Sequence, residues 1–171
     1  MQTVLITGAN RGIGLALAQH YFKLNFNVIG VCRHSSEMLN ACTHNVIDGI
    51  DLNFNDAVKS LCNSLSEIPI DLLISNAGIL QDEQLDSIDF DSIERQFQVN
   101  ALGSLRLVSA LQANLSAGSK IALITSRMGS IEDNTSGGRY GYRMSKAALN
   151  AAGKSMAHDL KGRGVAVAIL H

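Results

Sequence analysis

Two side chains suited to acid–base chemistry, Tyr142 and Lys146, lie four residues apart in the chain. Residues with this spacing on a helix share one face, with Cβ atoms roughly 5–6 Å apart. An ammonium at that distance favours the ionised form of the phenol, so the tyrosine becomes a usable proton donor near neutral pH. The pair therefore predicts acid catalysis at Tyr142, with Lys146 as its activating neighbour.

A glycine-rich segment near the N-terminus has the spacing of a nucleotide-binding turn. Gly8, Gly12 and Gly14 follow a short aliphatic run and precede a helical pattern. A strand, a glycine turn and a helix N-terminus present free backbone N–H groups and the positive end of the helix dipole to a phosphate. Glycines also let the backbone approach a pyrophosphate closely. We expect a nucleotide here; the alternative is a turn that only links strand to helix.

The end of the second predicted strand indicates which dinucleotide would bind. An NAD-binding domain typically carries an acidic residue here, which accepts hydrogen bonds from the ribose 2′-hydroxyl. This chain has Arg33 instead, and Arg11 lies in the glycine turn. Guanidinium groups can bind a 2′-phosphate bidentately, so the sequence favours NADPH over NADH. The alternative is that both arginines are solvated surface residues.

Short aliphatic runs alternate with longer helical patterns along the chain. Strands are predicted at Thr3–Thr7, Asn27–Val31, Asp71–Ser75, Lys120–Thr125 and Val165–Leu170, with a weaker one at Asn45–Ile50. Helices are predicted at Ile13–Leu24, Asp56–Leu65, Ser92–Leu115 and Tyr140–Leu160, the third capped by Asp89 or Asp91. Unbroken aliphatic strands are typical of a parallel sheet covered on both faces. The alternation predicts a doubly wound α/β fold of three layers with right-handed crossovers.

Composition narrows the class of protein. The 171 residues are predicted to form a single domain, with 46% hydrophobic residues, 17% charged residues and a net charge of −1. That charge makes nucleic acid or an anionic membrane surface an unexpected partner. The N-terminal residues lack a signal-peptide pattern and no apolar run is long enough to span a membrane, so we expect a cytoplasmic protein. Cys32, Cys42 and Cys62 indicate neither a disulfide framework nor a zinc site, and no metal is expected.

Motifs spread over the whole chain resemble those of the short-chain dehydrogenase/reductase family. The matching residues are Thr7 to Gly14 (TGxxxGxG), Asp51-Leu52, Asn76-Ala77-Gly78, Asn100, Ser126, and Tyr142 with Lys146 (YxxxK). The resemblance implies a Rossmann-type sheet with strand order 3-2-1-4-5-6. It also implies cofactor contacts from Gly8, Asn10, Arg11, Gly12, Ile13, Gly14, Arg33, Asp51, Leu52, Asn76, Ala77, Gly78, Tyr142 and Lys146.

The same resemblance implies a catalytic tetrad of Asn100, Ser126, Tyr142 and Lys146. Tyr142 would protonate the carbonyl oxygen as hydride arrives at carbon, and Lys146 would also hold the nicotinamide ribose. Ser126 would donate a hydrogen bond to the substrate oxygen, and Asn100 would help to order the water path for the proton. The expected activity is NADP(H)-dependent transfer of hydride between nicotinamide and a small carbonyl or alcohol substrate.

The stretch from Ser126 to Lys146 is most similar to the C-factor and sniffer-type carbonyl reductase branch of the family. This similarity keeps open an alternative, a non-enzymatic or weakly active nucleotide-binding protein with a signalling or regulatory role. Family members continue past the sixth strand with a substrate-covering segment and a last strand, which we expect this chain to lack. Relatives also associate through the helices predicted at Ser92–Leu115 and Tyr140–Leu160, so we expect a homodimer or homotetramer.

Overall fold

The computed structural model describes residues 1–66 and 68–171, and its strands form one parallel sheet of six. The strands are β1 (Thr3–Thr7), β2 (Asn27–Val31), β3 (Asn45–Ile47), β4 (Leu72–Ser75), β5 (Lys120–Ile124) and β6 (Ala166–Leu170). Their order in the sheet is β3-β2-β1-β4-β5-β6, which confirms the predicted Rossmann-type order. The order reverses between β1 and β4, where folds of this kind open a crevice at the carboxyl ends of the strands.

Helices cover both faces of this sheet. They are α1 (Gly12–Lys23), α2 (Glu37–Asn40), α3 (Asn55–Leu65), α4 (Phe90–Phe97), α5 (Gly103–Ala110) and α6 (Tyr140–Lys161). Side chains alternate between faces along each strand, so Leu5 joins the apolar core under α3, α5 and α6. Its neighbours Val4 and Ile6 join the core under α1 and α2. The predicted three-layer α/β fold is confirmed.

The helix predicted over Ser92–Leu115 is interrupted. Helix α4 passes through a π turn at Gln98–Leu102 before α5 begins. The helix packs closely on the segment after β3 at this point, since a Cβ at Gly103 would lie 3.0 Å from the Cβ of Leu52. The Arg106 guanidinium donates to the Gln98 and Leu52 carbonyls at 3.2 and 3.3 Å.

The start of α4 agrees with one of the two predicted caps. The Oδ1 atom of Asp89 accepts a hydrogen bond from the backbone N–H of Ser92 at 3.0 Å. This bond satisfies one of the N–H groups that a helix start leaves without a partner. Within residues 1–66 and 68–171, no helix is long and apolar enough to cross a membrane.

Candidate active site

A cleft of about 590 Å³ opens at the carboxyl ends of β1, β2 and β4. Most of the predicted cofactor residues line it: Gly8, Asn10, Arg11, Gly12, Ile13, Arg33, Asp51, Leu52, Asn76, Ala77 and Gly78. The other three, Gly14, Tyr142 and Lys146, lie outside this lining. The structure thus gathers the glycine turn, the end of β2 and the loop after β4 around one space.

The two strands that flank the crevice are joined by side chains at their ends. The Thr7 hydroxyl accepts the backbone N–H groups of Asn76 at 3.0 Å and of Ala77 at 3.1 Å. In return, the Asn76 side-chain amide donates to the carbonyls of Thr7 at 3.0 Å and Gly8 at 3.3 Å. The loop after β4 is therefore fixed against the glycine turn after β1.

Two glycines of the turn have distinct structural requirements. Gly8 has φ +66°, and a Cβ there would lie 3.0 Å from the Cα of Ala77. A Cβ at Gly14 would lie 2.2 Å from the Gly8 carbonyl oxygen and 2.6 Å from the Asn76 amide nitrogen. Gly14 therefore serves the packing of α1 against the turn, which explains why it lies outside the lining although it belongs to the motif.

Two predicted arginines contribute positive charge to the cleft. Arg11 and Arg33 are both exposed and both line it. Asp51 also lines the cleft, and its Oδ1 atom accepts the backbone N–H of Asn53 at 2.9 Å. This arrangement offers two cations and one oriented carboxylate to a bound nucleotide.

Several lining residues were not predicted from the sequence. They include Cys32, His34, Asn53, Arg95 and Val99. Cys32 and His34 flank Arg33 at the end of β2, so the strand register could have identified them. Arg95 and Val99 are one helical turn apart, and Val99 directly precedes the predicted Asn100, which is the signal that would have placed this face on the cleft.

The Lys146 ammonium is buried on the first half of α6. Its Nζ donates to the Ile124 carbonyl at the end of β5 at 2.8 Å. The same Nζ lies 5.6 Å from the centre of the Tyr142 ring. Burial lowers the pKa of Lys146 from 10.5 to about 8 because the charged form loses its hydration. The predicted pair on one helix face is present.

Asn100 lies fully buried in the π turn and contacts the loop after β4. Its side chain accepts from the Ile79 N–H at 2.8 Å and donates to the Ile79 carbonyl at 2.8 Å. It also donates to the Ser145 hydroxyl at 3.0 Å, which in turn donates to the Tyr142 carbonyl at 2.8 Å. A Cβ at Gly78 would lie 3.2 Å from Asn100 Oδ1 and 3.6 Å from Lys146 Nζ. Asn100 and Lys146 therefore converge at the edge of the cleft.

Ser126 lies just past the end of β5, two residues after the carbonyl that Lys146 contacts. It is half-buried, and its hydroxyl accepts the Met128 N–H at 3.1 Å, which starts a short 3₁₀ turn at Arg127–Gly129. A Cβ at Gly129 would lie 2.9 Å from the Lys146 carbonyl carbon, so this turn packs directly on α6. The segment after β5 and the Tyr142–Lys146 face of α6 are thereby neighbours.

Metal ligation has no structural basis in the part of the chain that is described. Among residues 1–66 and 68–171, no three His, Cys, Asp or Glu side chains come together as a metal site would require. Cys32, Cys42 and Cys62 are free thiols.

Comparison with known proteins agrees with this geometry. A family model described as short chain dehydrogenase matches residues 2–171. A 1-hydroxy-2-glutathionyl-2-methyl-3-butene dehydrogenase from Rhodococcus sp. (strain AD45) is 39% identical over 173 residues, covering 100% of this chain and 76% of the relative. C-signal of Myxococcus xanthus is 47% identical over 117 residues, covering 67% of this chain and 70% of that protein.

A solved structure extends the likeness to three dimensions. The crystal structure of an NADPH-bound carbonyl reductase from chicken fatty liver superimposes with a TM-score of 0.86 at 29% identity. The superposition covers 100% of this chain and 79% of the reductase. Together with the C-signal match, this likeness confirms the resemblance predicted from the motifs, including the branch that joins C-factor and carbonyl reductases.

Proposed function

Because the chain belongs to the short-chain dehydrogenase family, we propose that it is an NADPH-dependent oxidoreductase that interconverts a carbonyl and an alcohol. One observation carries the proposal. The buried Lys146 ammonium lies 5.6 Å from the Tyr142 ring centre and is adjacent to Gly78, which lines the cleft. A proton donor and its activating cation thus stand where the cleft meets β5.

The residues of the cleft fit a dinucleotide phosphate. The turn at Gly8 to Gly14 leads into the N-terminus of α1, whose first turn holds no acidic residue among those described. An anion there would meet N–H groups and the positive end of the helix dipole without repulsion from a carboxylate. Arg11 and Arg33 would hold the 2′-phosphate that distinguishes NADPH, as the carbonyl reductase from chicken liver is NADPH-bound.

Each tetrad residue has a separate task in this proposal. When bound, the nicotinamide supplies or accepts hydride at the substrate carbon. Tyr142 protonates the substrate oxygen, and the nearby Lys146 ammonium favours the phenolate left behind. The Ser126 hydroxyl accepts the Met128 N–H and would donate its own proton to the substrate oxygen as negative charge grows there. Asn100 accepts the Ile79 N–H and donates to the Ser145 hydroxyl. It thereby connects the loop after β4 to the residue of α6 that directly precedes Lys146.

The test is NADPH oxidation by the purified protein across a panel of aldehydes, ketones and quinones. We expect absorbance at 340 nm to fall with at least one carbonyl, and NADPH binding by fluorescence titration. Because the Rhodococcus relative is named for a glutathionyl alcohol, alcohols carrying a glutathionyl group belong in the panel with NADP in the oxidative direction. A protein that does not bind NADPH would contradict the proposal.

A second outcome would favour the alternative function. C-signal shares 47% identity over 117 residues, and a nucleotide-binding protein of that type need not turn over a carbonyl. If the protein binds NADPH tightly but none of the carbonyl compounds in the panel leads to NADPH oxidation, a signalling or regulatory function is favoured over a catalytic one. The intact Ser126, Tyr142 and Lys146 support the enzyme.

A further inference from the structure

A buried carboxylate lies beside the start of α6, in the loop that follows β4. Glu83 is 2% exposed, and its Oε2 accepts the backbone N–H of Gly141 at 3.2 Å. Its Oε1 accepts the Ser92 hydroxyl at 3.1 Å and the side-chain amide of Gln96. Buried charge is stable only where donors surround it, and here they come from α4 and α6. Glu83 therefore joins these two helices.

The segment between β5 and α6 holds an unusual turn directly in front of α6. Gly137, Gly138 and Arg139 have φ values of +64°, +62° and +53° in succession. Arg139 has a Cβ and does not adopt this left-handed conformation readily. Its N–H donates to the Glu83 carbonyl at 2.9 Å, and its Nε pairs with the Asp82 carboxylate at 3.2 Å. Asp82 and Glu83 thus hold the turn in place.

We propose that Glu83 is a positioning residue for Tyr142: its carboxylate fixes the first turn of α6 and so the direction of the phenol. Tyr142 directly follows Gly141, whose N–H the carboxylate accepts. The packing leaves little freedom, since a Cβ at Gly141 would lie 2.6 Å from Gln96 Nε2. Glu83 also follows Gly78 by only five residues, so one loop connects the cleft to the helix start. The catalytic consequence rests on the proposed function.

The hydrogen bonds require one carboxylate in the Glu83–Gln96 pair. A backbone N–H points at each end of the pair, from Gly141 toward Glu83 and from Gln81 toward Gln96 Oε1 at 3.0 Å. A carboxylate beside an amide satisfies both ends, because the amide turns its oxygen to Gln81 and its NH₂ to the carboxylate. Two amides cannot satisfy both ends, because when each oxygen accepts its backbone N–H the two NH₂ groups face each other with no acceptor between them. The carboxylate can therefore be at position 83 or at position 96, but this hydrogen-bond pattern requires one carboxylate in the pair.

This requirement yields a single variant, a rescue and a control. Glu83→Gln keeps the side-chain size and removes the charge, whereas Glu83→Gln with Gln96→Glu moves the carboxylate to the other member of the pair. Asp86→Asn removes an exposed carboxylate from the same loop and serves as the control. All three are compared with the wild-type chain.

The kinetic experiment uses the carbonyl that wild type reduces, with NADPH. Misplacement of a catalytic group by about 1 Å can cost about 10²-fold, so we expect Glu83→Gln to lower kcat at least about tenfold. The Kd for NADPH should stay within about threefold, because the cleft residues are unchanged. The exchanged pair and Asp86→Asn should both keep kcat within about threefold of wild type. Unchanged kcat in Glu83→Gln, or an exchanged pair that folds but stays slow, would overturn the proposal.

A second measurement does not depend on turnover. Hydrogen exchange of the Gly141 amide, followed by NMR, should accelerate at least about tenfold in Glu83→Gln, because the introduced amide can keep its oxygen on the Gly141 N–H only by placing its NH₂ against that of Gln96. Exchange should slow again in the exchanged pair. If no carbonyl is reduced, the proposed function fails while these exchange rates still decide whether Glu83 holds the helix start. If Glu83→Gln does not fold, the exchanged pair must fold and protect Gly141 as wild type does; a folded pair without that protection overturns the proposal.

Discussion

The Lys146 Nζ lies 5.6 Å from the centre of the Tyr142 ring while donating to the Ile124 carbonyl at 2.8 Å. The strand thus sets the position of the ammonium, and one turn of α6 sets the position of the ring. Neither group needs the other to stay in place. Because the backbone already fixes the ammonium, its electrostatic effect on the phenol carries no further entropic cost of ordering the lysine side chain.

Stability should depend on pH through Lys146. Burial lowers the pKa of this residue from 10.5 to about 8, so between those values the unfolded chain binds more protons than the folded one. The contribution of Lys146 to the free energy of unfolding therefore rises as pH increases from about 8 to 10.5, by on the order of 3 kcal/mol. In urea unfolding across this range, the difference in the free energy of unfolding between wild type and Lys146→Met should rise with pH by this amount, because the other titrating groups, such as Cys32 and Cys42, are common to both. A matched change at the exposed Lys154 should leave the rise intact.

Proton donation should depend on Tyr142 and not on Tyr140, the other tyrosine of the first turn of α6. Tyr142→Phe keeps the ring and removes the proton, so turnover of a reducible carbonyl should fall about 10²–10⁴-fold. NADPH affinity should persist, because the ring and its packing are retained. Tyr140→Phe makes the same chemical change two residues away and should leave kcat near wild type. Equal rates in Tyr142→Phe and wild type would remove Tyr142 from the mechanism.

Cofactor preference should follow Arg33. A charged hydrogen bond to the 2′-phosphate contributes about 1.5–3 kcal/mol, which corresponds to roughly tenfold or more in affinity for NADPH over NADH. Arg33→Asp should reverse the order, because a carboxylate repels the phosphate and accepts from a free 2′-hydroxyl. Fluorescence titration with both cofactors measures this, and Lys161→Asp, with the same charge change on an exposed residue, controls for net charge. Equal Kd values for NADPH and NADH in wild type would refute the preference.

Gly14 should tolerate no side chain. Its Cβ would lie 2.2 Å from the Gly8 carbonyl oxygen, and overpacking against backbone costs about 1–3 kcal/mol or more. We expect Gly14→Ala to lower the free energy of unfolding by about 3 kcal/mol and to weaken NADPH binding. Gly162 has open space and an ordinary φ of −64°, so Gly162→Ala should be neutral or stabilising by less than about 1 kcal/mol. Similar losses in the two variants would contradict the packing argument.

Much of this arrangement could be predicted because it depends on short-range patterns. Five of the strands follow from continuous aliphatic runs, which remain apolar when both faces of a sheet are covered. The glycine turn and the Tyr142–Lys146 spacing predict their own local geometry. The reversal between β1 and β4 then brings the glycine turn beside Asn76, as the order 3-2-1-4-5-6 requires.

What could not be predicted depends on contacts between distant segments. The π turn around Asn100 could not be predicted, because the contacts that accompany it, such as the close approach of Gly103 to Leu52, join residues some fifty positions apart in the chain. Glu83 stands in the polar run Gln81 to Gln84, which indicates a solvated loop. Its burial becomes evident only when Ser92, Gln96 and Gly141 close around it.

The π turn at Gln98–Leu102 has a consequence for how this part of the chain can vary. A π turn holds a surplus residue relative to an α-helix, and each residue in an α-helix corresponds to roughly 100° of rotation. Because the π turn absorbs that residue, deleting one residue there would leave an unbroken α-helix in which α4 and α5 keep nearly the same facing directions, with Gln96 on the loop at Gln81 and Leu107 in the core. The deletion would instead remove the widened turn that carries Asn100 and its contacts to Ile79 and Ser145. The length of this helix could therefore change by one residue without disturbing the packing of its two ends, but only if the Asn100 contacts were given up.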